Sequence, residues 1–353
     1  MLVARLLGGG DPRLWIAVGT LVGVALQNKH LILLLVLAVA AGLALDRRLV
    51  GALRSPWLWL GAGLAVALWL PNLLWQATHG WPQLELAADI RADEAGESRA
   101  ALLPLQLLLV SPLLVPVLAT GLWGLLRDPA LRPWRALGLA YPFLLAVMLL
   151  LGAKPYYAAP LLVCLLAPGA VVAERWLRSR VRTVLLGAAI VATAAVSVVL
   201  ALPAVPVDRL HETPVADINE DAIETVGWPE LVGTVARVHS ALPEAARRAA
   251  VVFTGNYGEA GAVDRFGPAF GLPRAYSGHN AYARFGIPPG SEGPVIVLGY
   301  RDPSRDFDGC RAAATIDNGV ELENEEQGGT VFVCERPRRP WRDAWQTLRH
   351  LDA

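Results

Sequence analysis

Lysine is nearly absent from this chain: Lys29 and Lys154 are the only two among 31 cationic side chains in 353 residues. Charge of either sign is scarce, at 18% of residues against 54% hydrophobic, and the mean hydropathy is +0.43. So apolar a composition excludes an ordinary soluble enzyme and points to a membrane. The net charge is zero, and neither half carries the clustered basic stripe that phosphate-backbone contacts need, which excludes nucleic acid as a partner. Three cysteines and six scattered histidines give no zinc-ligand spacing, so no metal site and no cofactor is expected, with the need for a divalent ion left open. No glycine-rich phosphate loop opens a helix and no nucleophile elbow is present. Both absences remove familiar nucleotide-binding and hydrolase chemistries.

The zero net charge hides two environments. Residues 1–202 hold 16 cations against 9 anions, a net of +7, and residues 203–353 hold 15 against 22, a net of −7. Apolar runs fill the first segment at 14–26, 30–45, 56–75, 101–126, 136–152, 155–173 and 183–202. These predict a mainly α chain with a polytopic helical membrane domain of about seven spans over 1–202. The first two runs are shorter than the roughly 20 residues a straight crossing needs. Fusing them would bury Asn28, Lys29 and His30, so two short helices with a turn is the better reading. One alternating set of segments carries twelve arginines, whereas the other carries only Lys29, Arg91, Arg99 and Lys154. By the positive-inside rule the N-terminus is predicted cytoplasmic in a cell membrane, with residues 203–353 outside.

The loops assigned to the outside carry the less usual residues: Gln27-Asn28-Lys29-His30, Pro71 to Pro82 with Trp75, His79 and Trp81, and Lys154-Pro155-Tyr156-Tyr157. An ammonium at the outer boundary suits a lipid phosphate, a compact anion, with Tyr and Trp faces stacking on a sugar. The other reading of both lysines is that they anchor helix ends by snorkelling. For Trp75, His79 and Trp81 it is an interfacial aromatic belt. The acidic stretch Glu85 to Glu97 reads as a solvated amphipathic helix, or as the source of a carboxylate base at the membrane surface.

Residues 203–353 read as a small soluble α/β domain. A helix is predicted around Trp228 to Leu242, with strands at 249–254, 294–299, 312–317 and 330–335 and a strand-to-helix turn at Asn256 to Ala262. Glu259, His279 and Asn280 are candidates for a polar pocket there, although Ser277-Gly278-His279-Asn280 also reads as a plain turn. Cys310 and Cys334 share this domain, and an oxidising compartment permits a disulfide between them.

The order of the Gln27–His30 loop, the Pro71-Asn72-Leu73-Leu74-Trp75-Gln76 and His79-Gly80-Trp81-Pro82 stretch, and Lys154-Pro155-Tyr156-Tyr157 resembles bacterial membrane glycosyltransferases of family 39. Their relatives include the protein mannosyltransferases and aminoarabinose transferases. The resemblance implies a GT-C-like helical fold in which a sugar leaves a polyprenyl-phosphate donor with inversion. The acceptor is an envelope glycan, lipid or protein on the outer face. It implies lipid-phosphate contact for Lys154 and Tyr157, with Lys29 and Tyr156 facing the same cavity and Trp75 and His79 shaping it. The acidic pair that such enzymes carry in their first outer loop is missing before Gln27, as though the first third of a full-length relative were absent, so no catalytic base is assigned. Two other classes stay in view. One is a lipid-linked sugar transporter or flippase, disfavoured because only Gln106, Ser111 and Thr120 interrupt the spans. The other is a non-catalytic membrane-anchored binding protein.

Overall fold

The computed structural model describes residues 1–290 and 293–351. The chain is mainly helical and divides into two compact units, Met1–Ala194 and Ala195–Ala353. The division falls inside a helix, upstream of the 202/203 boundary read from composition.

The first helices are α1 (Leu2–Leu7), α2 (Leu14–Asn28), α3 (Ile32–Leu45), α4 (Leu49–Leu53), α5 (Pro56–Thr78) and α6 (Pro82–Val110). They are followed by α7 (Val115–Arg127), α8 (Arg135–Leu151), α9 (Ala159–Trp176) and α10 (Arg180–Ala201). Among the described residues, four stretches are long and apolar enough to cross a membrane: α5, α10, and Pro129–Leu151 and Pro155–Trp176, in which a 3-10 turn leads into α8 and α9. With 15 and 14 residues, α2 and α3 fall short of a straight crossing.

The apolar run 101–126 is not one straight span. It is cut at Ser111, where φ is 71°, and the helices on either side are bent by 79°. Pro112 accounts for the break: it has no N–H to donate, and its ring drives the preceding residue out of the helical region. If α6 and α7 count as one bent crossing, the number of candidate spans is five. The acidic stretch Glu85 to Glu97 is the first half of α6 and runs directly into its apolar half.

Close backbone contact at glycines joins the helices in pairs. A Cβ on Gly19 would lie 2.0 Å from the Gly61 carbonyl on α5, one on Gly42 2.1 Å from that of Ala136 on α8, and one on Gly121 2.0 Å from that of Leu165 on α9. Small residues at the interface are how helices associate where lipid removes the hydrophobic drive. Leu144, Met148, Leu161 and Leu165 fill the core that α8 and α9 share.

The second unit continues with α11 (Val207–Leu210), α12 (Val215–Ile218), α13 (Glu220–Ile223), α14 (Trp228–Ser240) and α15 (Glu244–Ala249). Its strands are β1 (Val251–Thr254), β2 (Ala275–Ser277), β3 (Val295–Leu298), β4 (Phe307–Asp308), β5 (Arg311–Thr315), β6 (Thr330–Cys334) and β7 (Arg336–Pro337). Two more helices, α16 (Tyr257–Phe266) and α17 (Trp341–Leu348), complete it. The main sheet runs β2-β1-β3-β6-β5, with β1 parallel to both β2 and β3, while β6 is antiparallel to β3 and β5.

Alternation along the strands builds two cores. Val252, Ile296 and Leu298 face α14 and α16, whereas Phe253, Val295 and Val297 face the Trp341 and Trp345 rings of α17. Of these elements, α11, α12, α13, α15, α17, β2, β4 and β7 were not read in the sequence, and the turn expected at 277–280 begins on the last residue of β2. Cys310 and Cys334 are joined, with Cα atoms 3.9 Å apart, tying the start of β5 to the end of β6.

Candidate functional site

Both lysines of the chain meet the same turn. Gly152 ends α8 in the left-handed conformation, φ +67°, and a Cβ there would lie 2.4 Å from the Ala95 Cβ on α6. Glycine therefore lets the end of α8 touch α6 at a point where another residue would clash. The chain leaves this contact as a 3-10 turn, Pro155–Ala158, held by the buried Gln106 side chain of α6, whose Nε2 donates to the Pro155 carbonyl at 2.7 Å. Arg99 fixes the same junction from outside, donating to the Leu149 and Leu150 carbonyls at 3.0 and 3.4 Å. These are carbonyls that a helix end leaves without partners.

That arrangement sets Lys154 Nζ 3.1 Å from a Glu94 carboxylate oxygen, with the two side chains 25% and 32% exposed. Lys29, just past α2, lies with its ammonium 5.7 Å from the Tyr156 ring centroid and 5.6 Å from that of Tyr157. The two tyrosine rings meet edge to face at 4.8 Å and form an aromatic cup for the cation. So Lys29, Tyr156 and Tyr157 touch, and Lys154 adjoins them with Glu94 as its ion-pair partner. Glu94 was read only as one acid among several in the Glu85 to Glu97 stretch. Its pairing depends on the Gly152–Ala95 contact between distant segments, which leaves no local signal.

The neighbouring loop residues sort differently. The His30 ring nitrogens face the Gln83 and Asn72 amide oxygens at 3.1 and 3.0 Å, and Gln27 donates to the Leu68 carbonyl, tying the end of α2 to α5 and α6. Trp75 and His79 stack on one another at 4.4 Å, and His79 Nδ1 faces the Trp75 carbonyl at 2.7 Å. Two polar residues of the spans are engaged within the helices: Thr120 donates to the Pro116 and Val117 carbonyls one turn back, and Ser111 accepts from Thr193 of α10 at 3.0 Å.

In the second unit, the three residues expected to form a pocket lie beyond the carboxyl ends of β1 and β2. Asn256 caps α16 by accepting from the Glu259 N–H, and Glu259 returns the bond to the Asn256 N–H at 3.1 Å. Glu259 is 2% exposed, directed inward under Gly299. Burial pushes its carboxyl up to about 7, with Glu326 and Glu325 adding to the rise and the Asn256 and Gly255 N–H groups opposing it. Glu326 is likewise raised to about 7, by burial and then by Glu224 and Glu325. Glu224, Glu325 and Glu326 offer oxygens within 4.8 Å of one another, and burial first, then neighbouring carboxylates, raises the pKa of Glu224 and Glu326, so that these two can shed charge by binding protons. The His279 ring stacks on His350, at 4.7 Å, and meets the Tyr257 ring at a tilt of 49°, at 4.9 Å, and its Nε2 lies 2.8 Å from the Asn280 amide.

No protein-family model, no curated protein and no solved structure matches this chain.

Proposed function

We propose that this chain is an integral membrane glycosyltransferase that moves a sugar from a polyprenyl-phosphate donor to an acceptor on the outer face of the membrane. The observation that carries the reading is the meeting of the only two lysines, Lys29 and Lys154, with Tyr156 and Tyr157 at one junction of apolar helices. In the reaction an acceptor hydroxyl attacks the anomeric carbon, the bond to the lipid phosphate breaks, and the hydroxyl proton passes to a carboxylate. Lys154, with Lys29 beside it, balances the negative charge that develops on the departing phosphate. The tyrosine rings supply the apolar, partly polar wall that a sugar or an isoprenoid end requires. A transporter reading gains nothing from the spans, whose few polar residues are engaged in bonds to nearby carbonyls and hydroxyls.

The test is binding of undecaprenyl phosphate to the full chain in detergent, followed by native mass spectrometry. Lys154→Ala should weaken it about tenfold, the scale of one charge-assisted contact, with Lys29→Ala weakening it less and both variants keeping the wild-type melting temperature. Unchanged affinity in the Lys154→Ala/Lys29→Ala double variant removes the phosphate assignment and the reading with it.

A further inference from the structure

A second polar site lies in the Ala195–Ala353 unit. The order β2-β1-β3 places β1 between two parallel partners reached in opposite directions. In open α/β sheets such a reversal leaves a crevice beyond the carboxyl ends of the strands, where ligands bind. A cavity of about 260 Å³ opens just past the end of β3, lined by Tyr300, Arg305, Asp306, Arg339, Thr347 and His350 together with Leu348.

Its wall is built rather than incidental. Residues 348–350 are laid along the end of β2: His350 N–H donates to the Gly278 carbonyl at 3.1 Å and Asn280 N–H to the His350 carbonyl at 2.9 Å. A Cβ on Gly278 would sit 1.9 Å from the Leu348 carbonyl, so only glycine admits this segment so close. The His350 ring is stacked on the buried His279, which in turn meets the exposed Tyr257 ring. An aromatic face is thereby fixed at the cavity wall.

Charge decides the ligand. Arg336 and Arg338, close by in sequence, share the Asp308 carboxylate. Arg305 and Arg339 line the cavity, and among the described residues neither forms an ion pair; Arg339 donates only to the Thr347 hydroxyl, at 3.0 Å. Two guanidinium groups against the single Asp306 carboxylate leave the cavity lining with an excess of positive charge, and their planar forks match a carboxylate or a phosphate. Asp306, also on the wall, has no use for a bare anion but accepts from hydroxyl groups, and the His350 ring offers a stacking face. The volume lies below the range usual for drug-sized ligands and suits a single sugar ring.

We infer that this crevice binds a monosaccharide carrying an acid group, with Arg305 and Arg339 on the carboxylate or phosphate and Asp306 on a ring hydroxyl. The site is separate from the lysine cluster and does not rest on the glycosyltransferase reading.

The experiment is saturation-transfer NMR and calorimetry on the full chain in detergent, with glucuronate, glucose 1-phosphate, glucose and inorganic phosphate as probes. Glucuronate or glucose 1-phosphate should bind at least tenfold more tightly than glucose and than inorganic phosphate. A preference between the two acids identifies the ligand as a uronic acid or a sugar phosphate. Arg305→Gln and Arg339→Gln, both at exposed positions, should each weaken binding about tenfold. In the unmodified chain, raising salt from 0.05 to 0.5 M should weaken it as well. Lys154→Ala should leave it unchanged, so failure here and failure of undecaprenyl-phosphate binding are distinguishable. Absence of saturable binding by either acid sugar, equal binding of glucose or of inorganic phosphate, or full affinity in the Arg305→Gln/Arg339→Gln variant overturns the inference.

Discussion

Glu259→Gln should flatten the pH dependence of stability in the second unit. The Glu259 carboxyl is buried under Gly299 and titrates near 7 in the folded chain against 4.5 when unfolded. A folded-state pKa above the unfolded one means the native state holds the proton more tightly, so this contribution is complete below about 4.5 and is lost as pH rises through about 7. At 1.36 kcal/mol per pKa unit, Glu259 alone should lose about 2–3 kcal/mol of stability between pH 5 and pH 8. Glutamine has the same shape and no charge, so the variant avoids that loss. It keeps only one of the two acceptor oxygens that face the Asn256 and Gly255 N–H groups, a cost of about 1–2 kcal/mol at every pH. The variant should therefore be the less stable chain at pH 5 and the more stable at pH 8. Glu326, raised in the same direction, leaves it a residual slope. Hydrogen exchange of the β1 and β3 amides in the full chain, corrected for the intrinsic rate at each pH, measures both opening free energies. If the two chains differ in their pH 5 to pH 8 change by less than about 0.5 kcal/mol, the buried carboxylate is not what sets the slope.

Two further outcomes follow from close contacts and covalent ties. Gly121→Leu places side-chain atoms where only backbone fits, against the Leu165 carbonyl and Gly169, and should lower the melting temperature of the full chain in detergent by the equivalent of about 1–3 kcal/mol; Gly63→Leu, which meets no atom within 4 Å, should be neutral and serves as the control. Replacing Cys310 and Cys334 by alanine releases a closed loop with a sequence separation of 24, worth about 3–4 kcal/mol on chain entropy, and hydrogen exchange should show β5 and β6 losing protection before β1.

The long helices of the first unit were legible because apolar runs of this length have few other solutions, and the strands β1, β3 and β6 because β-branched residues cluster between turns; β5, an alanine run closed by Thr315, carries that signal only at its end. The α16 cap could be read from Asn256 and Glu259, three residues apart. What stayed hidden depended on distance along the chain. Three residues of β2 are too few for a period to emerge, and the Ser111 break was masked by apolar residues on both sides even though Pro112 encodes it. Glu94 pairs with Lys154, and His350 lines one cavity with Arg305, although in each case the two segments are tens of residues apart. No local spacing announces such pairs. The Arg305 and Arg339 cavity is further obscured because two of its arginines look like the other solvated arginines around them until Arg336 and Arg338 are seen to share Asp308.

The ion pair at Lys154 bears on how the lysine cluster works. A partly exposed pair such as Lys154–Glu94 contributes no more than about 1 kcal/mol, whereas a pair sealed from water would be costly to break. On the glycosyltransferase reading, this weakness lets a lipid phosphate take the place of Glu94 at the ammonium for little free energy, so the ion pair does not compete seriously with the donor. Lys29 cannot take over this exchange, because the faces of Tyr156 and Tyr157 surround it and offer no anion to release. The two lysines therefore divide the work by their partners: one ammonium is held by rings and stays in place, and the other is held by a carboxylate that a phosphate can displace.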